Sequence, residues 1–306
     1  MLDNNTISKL HEMRLSVMAQ SFDEQIKNGC FAEMSFEERF GMIVDSEWSA
    51  RKSNRLTRLI QKANYSIPGA CIENIEYHPD RKLDKTQIAR LSTCAYIEEN
   101  HNLRILGATG SGKTYIACAL GMAASRNFYS VRYVRLPELF AELAIARGDG
   151  TYRKVIKQYK QVKLLILDEW LLFSLKENEA RDLLEIVEAR HKRASTMFCS
   201  QFDVAGWHLK IGEPTLADAI CDRIVHDSYT IMIEGESMRV SVKPSAPVSN
   251  NILHIQSPQQ VTMKGRFFYV RSPWQADLSH MRIYGHAQGN RRSVVYCGPS
   301  SCLQLI

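Results

Sequence analysis

At 306 residues, 45% of them apolar and 24% charged, the chain is long enough for one large α/β domain with a smaller appendage, which excludes collagen-like, wholly disordered and disulfide-scaffold classes. The net charge of +6 is concentrated at one end: residues 241–306 hold seven basic side chains and one acidic, leaving 32 of each sign before them. Five of the nine prolines lie in that same stretch and no glutamate does, which marks a compositional boundary near position 240.

Eight cysteines without a C-x-x-C pair disfavour a zinc site or a secreted disulfide framework. No apolar run approaches the roughly twenty residues of a membrane-spanning helix, and residues 1–4 begin no signal peptide. A cytoplasmic protein without a membrane partner is expected.

In chain order, Leu10, Met13, Val17, Met18 and Phe22 carry one helical period, and Phe36, Phe40, Ile43, Val44 and Trp48 a second. Ser35 with Glu38 three residues on is a capping-box pattern that starts the second helix. Arg51, Arg55, Arg58 and Lys62 follow at helical spacing, so a continuing helix gathers four cations on one face. Such a face is either a solvated surface or a ridge that tracks nucleic-acid phosphates. Pro68 and Pro79 then mark a linker, and Asp84 with Gln87 opens a helix running to about Asn100.

Beyond it, short apolar runs at 103–106, 131–134, 164–167, 196–199 and 229–233 alternate with amphipathic segments. That alternation predicts a parallel sheet covered by helices on both faces.

Between the first of these runs and a helical segment lie Gly107, Ala108, Thr109, Gly110, Ser111, Gly112, Lys113 and Thr114, which satisfy G-x-x-x-x-G-K-[ST] at every required position. Glycines let successive amides turn toward phosphates, and the following helix adds its positive end. Lys113 is expected on the β- and γ-phosphates of ATP and Thr114 on Mg²⁺. The apolar run 164–167 ends in Asp168 and Glu169. Asp168 is placed to hold Mg²⁺, and Glu169 to orient and deprotonate the attacking water. Together the two motifs imply ATP hydrolysis.

Ser200 and Gln201 end the fourth apolar run, either as sensors of the γ-phosphate or as a strand passing into a polar loop. Arg223 lies on a helical pattern set by Leu216, Ile220, Ile224 and Val225. It is either an arginine reaching into a neighbouring subunit's site or half of an ion pair within the chain, for instance with Asp227.

The residues at 35–40, 107–114, 130–136, 164–170, 211–224 and 235–239 together resemble the IstB-type helper ATPases of bacterial insertion sequences, AAA+ proteins related to the DnaC helicase loader. The run Gly212, Glu213, Pro214, Thr215, Leu216, Ala217, Asp218 ahead of an Asp-Arg helix is the most discriminating of these. The likeness covers roughly residues 8–239. It implies an α/β P-loop AAA+ fold preceded by a small all-α domain: 1–66 for DNA binding, 67–83 as linker, 84–240 as the ATPase. Residues 241–306 extend past the family pattern and are expected to be poorly ordered. The resemblance further implies an ATP-dependent helper of transposition that assembles on target duplex DNA as a ring or helical oligomer and recruits or activates a transposase. Arg51, Arg55, Arg58 and Lys62 become DNA contacts in that reading, with Arg153, Lys154, Lys157 and Lys160 a second basic run that lines the DNA path or is simply solvated. Arg223 becomes the finger acting in trans and Arg239 the arginine that senses nucleotide. The alternatives are a DnaC-like adaptor that loads a helicase with ATP as a switch, and a remnant that binds ATP without activity.

Overall fold

The computed structural model describes residues 2–235 and, as backbone strands, 261–263, 266–268, 282–285, 294–298 and 301–305. Two compact units divide between Lys243 and Pro244.

The first unit opens with α1 (Leu2–Glu12), α2 (Ser16–Lys27) and α3 (Phe36–Ala63). The first apolar period, which reads as one helix, is split because Arg14 adopts a left-handed φ of +59°. The capping box forms as expected: Ser35 Oγ accepts from the Glu38 amide at 3.3 Å and Glu38 accepts from the Ser35 amide at 2.9 Å. Glu47 ties α2 to α3 by accepting from Arg51 at 2.6 Å and from the Met18 amide at 2.9 Å. Those donors, Arg51 foremost, hold its carboxyl below the ordinary range. Of the apolar positions that set the period of α3, Ile43 is buried, whereas Phe36, Phe40, Val44 and Trp48 are exposed.

The C-terminal end of α3 enters the main core, where Ala63 and Tyr65 are buried. Residues 67–83, which read as a linker, are packed there too: Ala70, Ile75 and Leu83 join the core and Arg81 is buried. Next come α4 (Lys85–Ser92) and α5 (Ala95–Glu98). Asp84 caps α4 through the Thr86 amide at 2.8 Å. Gln87, however, reaches the Thr230 carbonyl instead of closing a box. The helix expected to run on to Asn100 breaks at Cys94, whose φ is +68°.

The sheet follows: β1 (Asn102–Gly107), α6 (Lys113–Arg126), β2 (Val131–Arg135), α7 (Leu136–Gly148), α8 (Tyr152–Gln161), β3 (Leu164–Trp170), α9 (Glu177–Arg190), β4 (Ser195–Ser200), α10 (Val204–Ile211), α11 (Pro214–Val225) and β5 (Ser228–Ile233). The five strands are parallel in the order β2-β3-β4-β1-β5. Both faces are covered, and for that reason the strands read as continuous apolar runs. Leu164 and Ile166 of β3 pack with α4, α5 and α6, while Leu165 and Leu167 pack with α7 to α11.

Arg190 locks the second of these layers. Fully buried, it donates to the carbonyls of Tyr159, Val162 and Ser195 and to the Thr196 hydroxyl, and burial lowers its pKa to about 9. The carboxyl ends of β1 and β3, with β4 between them, lie on the same side of the sheet, where open α/β sheets bind ligands.

The second unit contains an antiparallel pair, β6 (Val261–Met263) with β7 (Arg266–Phe268). It also contains an antiparallel sheet in the order β10-β9-β8, formed by β8 (Arg282–Gly285), β9 (Val294–Gly298) and β10 (Ser301–Leu305). Apart from these strands, the expectation of poor order for 241–306 lies outside the described residues. Among the described residues no helix is long and apolar enough to cross a membrane.

Candidate nucleotide-binding and hydrolytic site

The loop joining β1 to α6 has room for glycine alone at its first position. A Cβ on Gly107 would lie 2.5 Å from the Ile233 carbonyl oxygen and 2.9 Å from Ser111 Oγ. Gly110 and Gly112 take φ of +81° and +91°, which turn the chain over the end of α6. No side chain caps α6, so its first amides are left for a ligand. Ala108 and Thr109 sit exposed at the tip. Lys113 Nζ donates to the carbonyls of Gly107 and Ala108 at 2.8 and 2.7 Å, holding the ammonium over the loop. Among the described residues Ser111 Oγ, buried inside the turn, has no hydrogen-bond partner. An anion-sized cradle with an ammonium and an unpaired buried hydroxyl fits the phosphates of a nucleotide.

Asp168 and Glu169 stand opposite. Thr114 donates to Asp168 Oδ2 at 2.7 Å, Tyr133 donates to the same oxygen at 2.8 Å, and the Glu169 amide donates to Oδ1 at 2.8 Å. Burial first, and then the Asp168 charge, push the Tyr133 phenol well above its ordinary pKa, so it remains a donor. Regular strand alternation would send neighbouring acids to opposite faces. Here it is interrupted: Glu169 has a φ of +54°, and the pairing of β3 with β4 slips between Leu167 and Trp170. A hydroxyl and a carboxylate in contact beside an ammonium are the hard oxygen donors that Mg²⁺ takes together with substrate phosphates, so Thr114 and Asp168 fit that ion. No cluster of three or more potential ligands of the His, Cys, Asp and Glu type occurs among the described residues.

Sequence reasoning missed three parts of the site. A cavity of about 390 Å³ opens beside the loop and is lined by Ile67, Ile75, Arg81, Tyr115 and Ile116 as well as Lys113 and Thr114, giving an apolar pocket of a size suited to a nucleobase. Arg81 braces it by donating to the carbonyls of Ser111 and Glu76 at 2.5 and 2.9 Å. Nothing local in the sequence signals this long-range bond. The other two are Tyr133 and Arg135 on β2. Nη2 of Arg135 lies 2.7 and 2.8 Å from the two carboxylate oxygens of Glu169, and that bond raises the pKa of the guanidinium.

The remaining expected residues divide. Ser200 is drawn into the core: its hydroxyl donates to the Trp170 carbonyl at 3.1 Å and accepts from the Trp207 indole at 3.0 Å and the Phe202 amide at 3.1 Å. With its hydrogen-bonding capacity spent there, it braces the Trp170, Phe198 and Trp207 cluster, and the exposed Gln201 is left as the polar group of that strand end. Arg223 does make an intrachain pair, with Glu188 at 3.6 Å rather than with Asp227, and it donates to the Ala219 carbonyl at 2.8 Å. Arg239 lies outside the described residues.

All four cations of the basic ridge lie on α3 and are exposed. Arg51 is committed to Glu47 and to the Arg14 carbonyl at 2.7 Å. Arg55 stacks over Phe128 with its guanidinium 5.1 Å from the ring centre. On α8, Arg153, Lys154 and Lys157 are exposed, whereas Lys160 pairs with Glu185 at 2.5 Å and so leaves that run.

Comparison with known proteins bears on the same stretch. Residues 8–246 match the family described as IstB-like ATP binding protein. The insertion sequence ATP-binding protein y4pL of Sinorhizobium fredii is 43% identical over 242 residues, 78% of this chain and 97% of its own. The corresponding protein of the insertion sequence IS1162 from Pseudomonas fluorescens is 41% identical over 66% of this chain and 87% of its own. Among solved structures, DnaI aligns with a TM-score of 0.50 at 22% identity, covering 59% of this chain and 98% of DnaI, a likeness of fold. The sheet order, the phosphate loop and the acidic strand end are those of a P-loop AAA+ domain.

Proposed function

The chain belongs to the IstB-like ATP binding protein family, and from that premise we propose that it hydrolyses ATP while assembled on duplex DNA, as the helper of an insertion sequence's transposase. The observation that carries the hydrolytic reading is the convergence of Lys113, Thr114, Asp168 and Glu169 at the carboxyl ends of β1 and β3, with Thr114 and Asp168 in direct hydrogen bond.

In this reading the amides of 110–114 and the Lys113 ammonium hold the phosphates in place. Leaving the Gly107 and Ala108 carbonyls for phosphate oxygens, Lys113 exchanges a dipole for a full negative charge. Thr114 and Asp168 would hold Mg²⁺, whose charge screens the β- and γ-oxygens when bound. Glu169 orients water in line with the γ-phosphate and takes its proton. Arg223 of a neighbouring subunit meets the charge that builds on the transferring group, which makes turnover depend on assembly. Arg55, Arg58 and Lys62 on α3 supply phosphate contacts that position DNA without reading its sequence. The setting is the cytoplasm, and the transposase of the same element is the protein partner.

ATP turnover measured with and without duplex DNA at graded salt tests this reading. Turnover should rise with protein concentration and with duplex, and the DNA effect should fade steeply as salt competes for phosphates. Lys113→Ala should abolish it. A folded chain that fails to retain labelled ATP in the presence of magnesium overturns the proposal.

A further inference from the structure

Arg81 is 5% exposed, yet among the described residues it makes no ion pair. A buried guanidinium is ordinarily matched by a carboxylate. Here its partners are two carbonyl dipoles: Nη1 donates to Glu76 at 2.9 Å, and Nη2 donates to Ser111, inside the phosphate loop, at 2.5 Å. Its Nε–H has no partner among the described residues. A full positive charge thus stands directly behind the loop, compensated by dipoles alone.

The backbone fixes where that charge sits. The Arg81 amide donates to the His78 carbonyl at 3.1 Å, and the Arg81 carbonyl accepts from the Glu234 amide, just past β5, at 3.1 Å. Beside it Lys82 Nζ lies 2.6 Å from the Glu234 carboxylate, and Gly235 passes so close that a Cβ there would lie 3.1 Å from Asp80 Oδ2. An arginine rooted this firmly imposes its position on the loop instead of following it. A trans peptide points its C=O and N–H to opposite sides, so holding the Ser111 carbonyl turns the Gly112 N–H away from Arg81. Among the described residues that amide has no hydrogen-bond partner, which suits a donor kept for a phosphate.

We propose that Arg81 is a positioning residue of the phosphate site: a second cation that works from behind the loop, fixing the Ser111–Gly112 peptide so that the Gly112 amide faces the polyphosphate, and adding its uncompensated charge to that of Lys113. This rests on the nucleotide-binding reading above and adds a residue to it. Arg81 touches no reacting atom and acts through the peptide it holds. Because it also lines the neighbouring apolar cavity, a role on the base is the competing account, and the two differ in which part of the nucleotide feels the loss.

The test is equilibrium binding to the full chain with magnesium present, for wild type, Arg81→Gln, Arg81→Met and Arg81→Lys. ATP and inorganic tripolyphosphate each displace a fluorescent ATP analogue. Arg81→Gln and Arg81→Met should weaken both ligands by the same factor, about 30-fold, the order set by one hydrogen bond to a charged group. Arg81→Lys keeps the charge and a donor for the Ser111 carbonyl, so it should lie between these variants and wild type. In steady-state turnover KM for ATP should rise in parallel while kcat stays within about threefold, since the lost hold serves bound substrate and transition state alike. Unchanged affinity for both ligands overturns the proposal. So does a loss confined to ATP with tripolyphosphate unaffected, which places Arg81 on the base, or a wild type that binds ATP but not tripolyphosphate. Failure of Arg81→Gln and Arg81→Lys alike to fold overturns it as well, because the residue is then structural. If wild type retains no ATP, the nucleotide-binding reading itself has failed; if it does and Arg81→Gln binds both ligands as wild type does, the role of Arg81 alone has.

Discussion

Tyr133 donates its phenol hydrogen to Asp168 at 2.8 Å, on the same Oδ2 that Thr114 reaches from the phosphate loop. A residue of β2 thus fixes the carboxylate that β3 presents to the proposed magnesium position, and burial keeps the phenol protonated. Groups that orient a metal ligand typically contribute about 10–100-fold to metal affinity. Tyr133→Phe removes the donor and keeps the ring. It should weaken magnesium-dependent ATP binding about tenfold at a cost in stability of about 1 kcal/mol. A magnesium titration followed with a fluorescent ATP analogue measures the first, and urea unfolding the second. Unchanged magnesium dependence would show that Thr114 and the Glu169 amide suffice to orient Asp168.

The basic ridge of α3 is uneven, and DNA binding should reveal it. Arg58 and Lys62 are exposed and, among the described residues, in no ion pair, whereas Arg51 already holds Glu47 and the Arg14 carbonyl. Each true phosphate contact contributes about one to the slope of log affinity against log salt. Arg58→Ala and Lys62→Ala should each lower that slope by about one. Arg51→Ala should change it less and instead loosen the α2–α3 pairing, seen as a lower thermal midpoint. Equal slopes for all three variants and wild type would remove α3 from the DNA path.

The strands and the phosphate loop were legible in the sequence because each is written locally. Covering both faces makes every strand a continuous apolar run, and the loop's glycines and lysine fall within eight residues. The capping box at Ser35 and the cap at Asp84 were legible for the same reason. What stayed hidden depends on pairing across the fold. Tyr133 and Arg135 acquire their partners only through the β2–β3 register, and the slip at Glu169 has no local mark. Arg81 acts on Ser111 thirty positions away. Ser200 shows the converse: a polar residue ending a strand reads as solvent-facing, yet two tryptophans from separate elements enclose it.

Buried thiols give the fold an alkaline limit. Burial raises both Cys118 and Cys221 from 9.0 to about 11. The native state therefore keeps protons that the unfolded chain releases above about pH 9. This contribution is complete below pH 9 and is lost as pH climbs through about 11. In the presence of a reductant, the urea midpoint should be level between pH 7 and 8.5 and fall between 9 and 11. Cys221→Ala should shallow the fall without abolishing it, because Tyr65 and Tyr133 are raised by burial as well. A midpoint independent of pH across 9–11 would contradict the burial of these groups.

Arg223 is held 3.6 Å from Glu188 on α9, with its side chain 30% exposed. An exposed pair of that kind holds weakly, about 0–1 kcal/mol, so the proposed role in a neighbouring subunit's site would require only a weak bond to break. An arginine that works across a subunit boundary has a distinctive genetic signature. Lys113→Ala lacks its own phosphate site but still offers Arg223, while Arg223→Ala keeps the site and lacks the finger. Neither alone should turn over ATP appreciably, since such an arginine is worth about 10³–10⁵ in rate. Mixed at equal concentrations, they can pair one intact site with one intact arginine, and a fraction of the wild-type rate should return, growing with total protein. Glu188→Gln should leave that restored rate intact or raise it, because it frees the guanidinium. Mixtures no more active than their parts would assign Arg223 to the ion pair within its own chain.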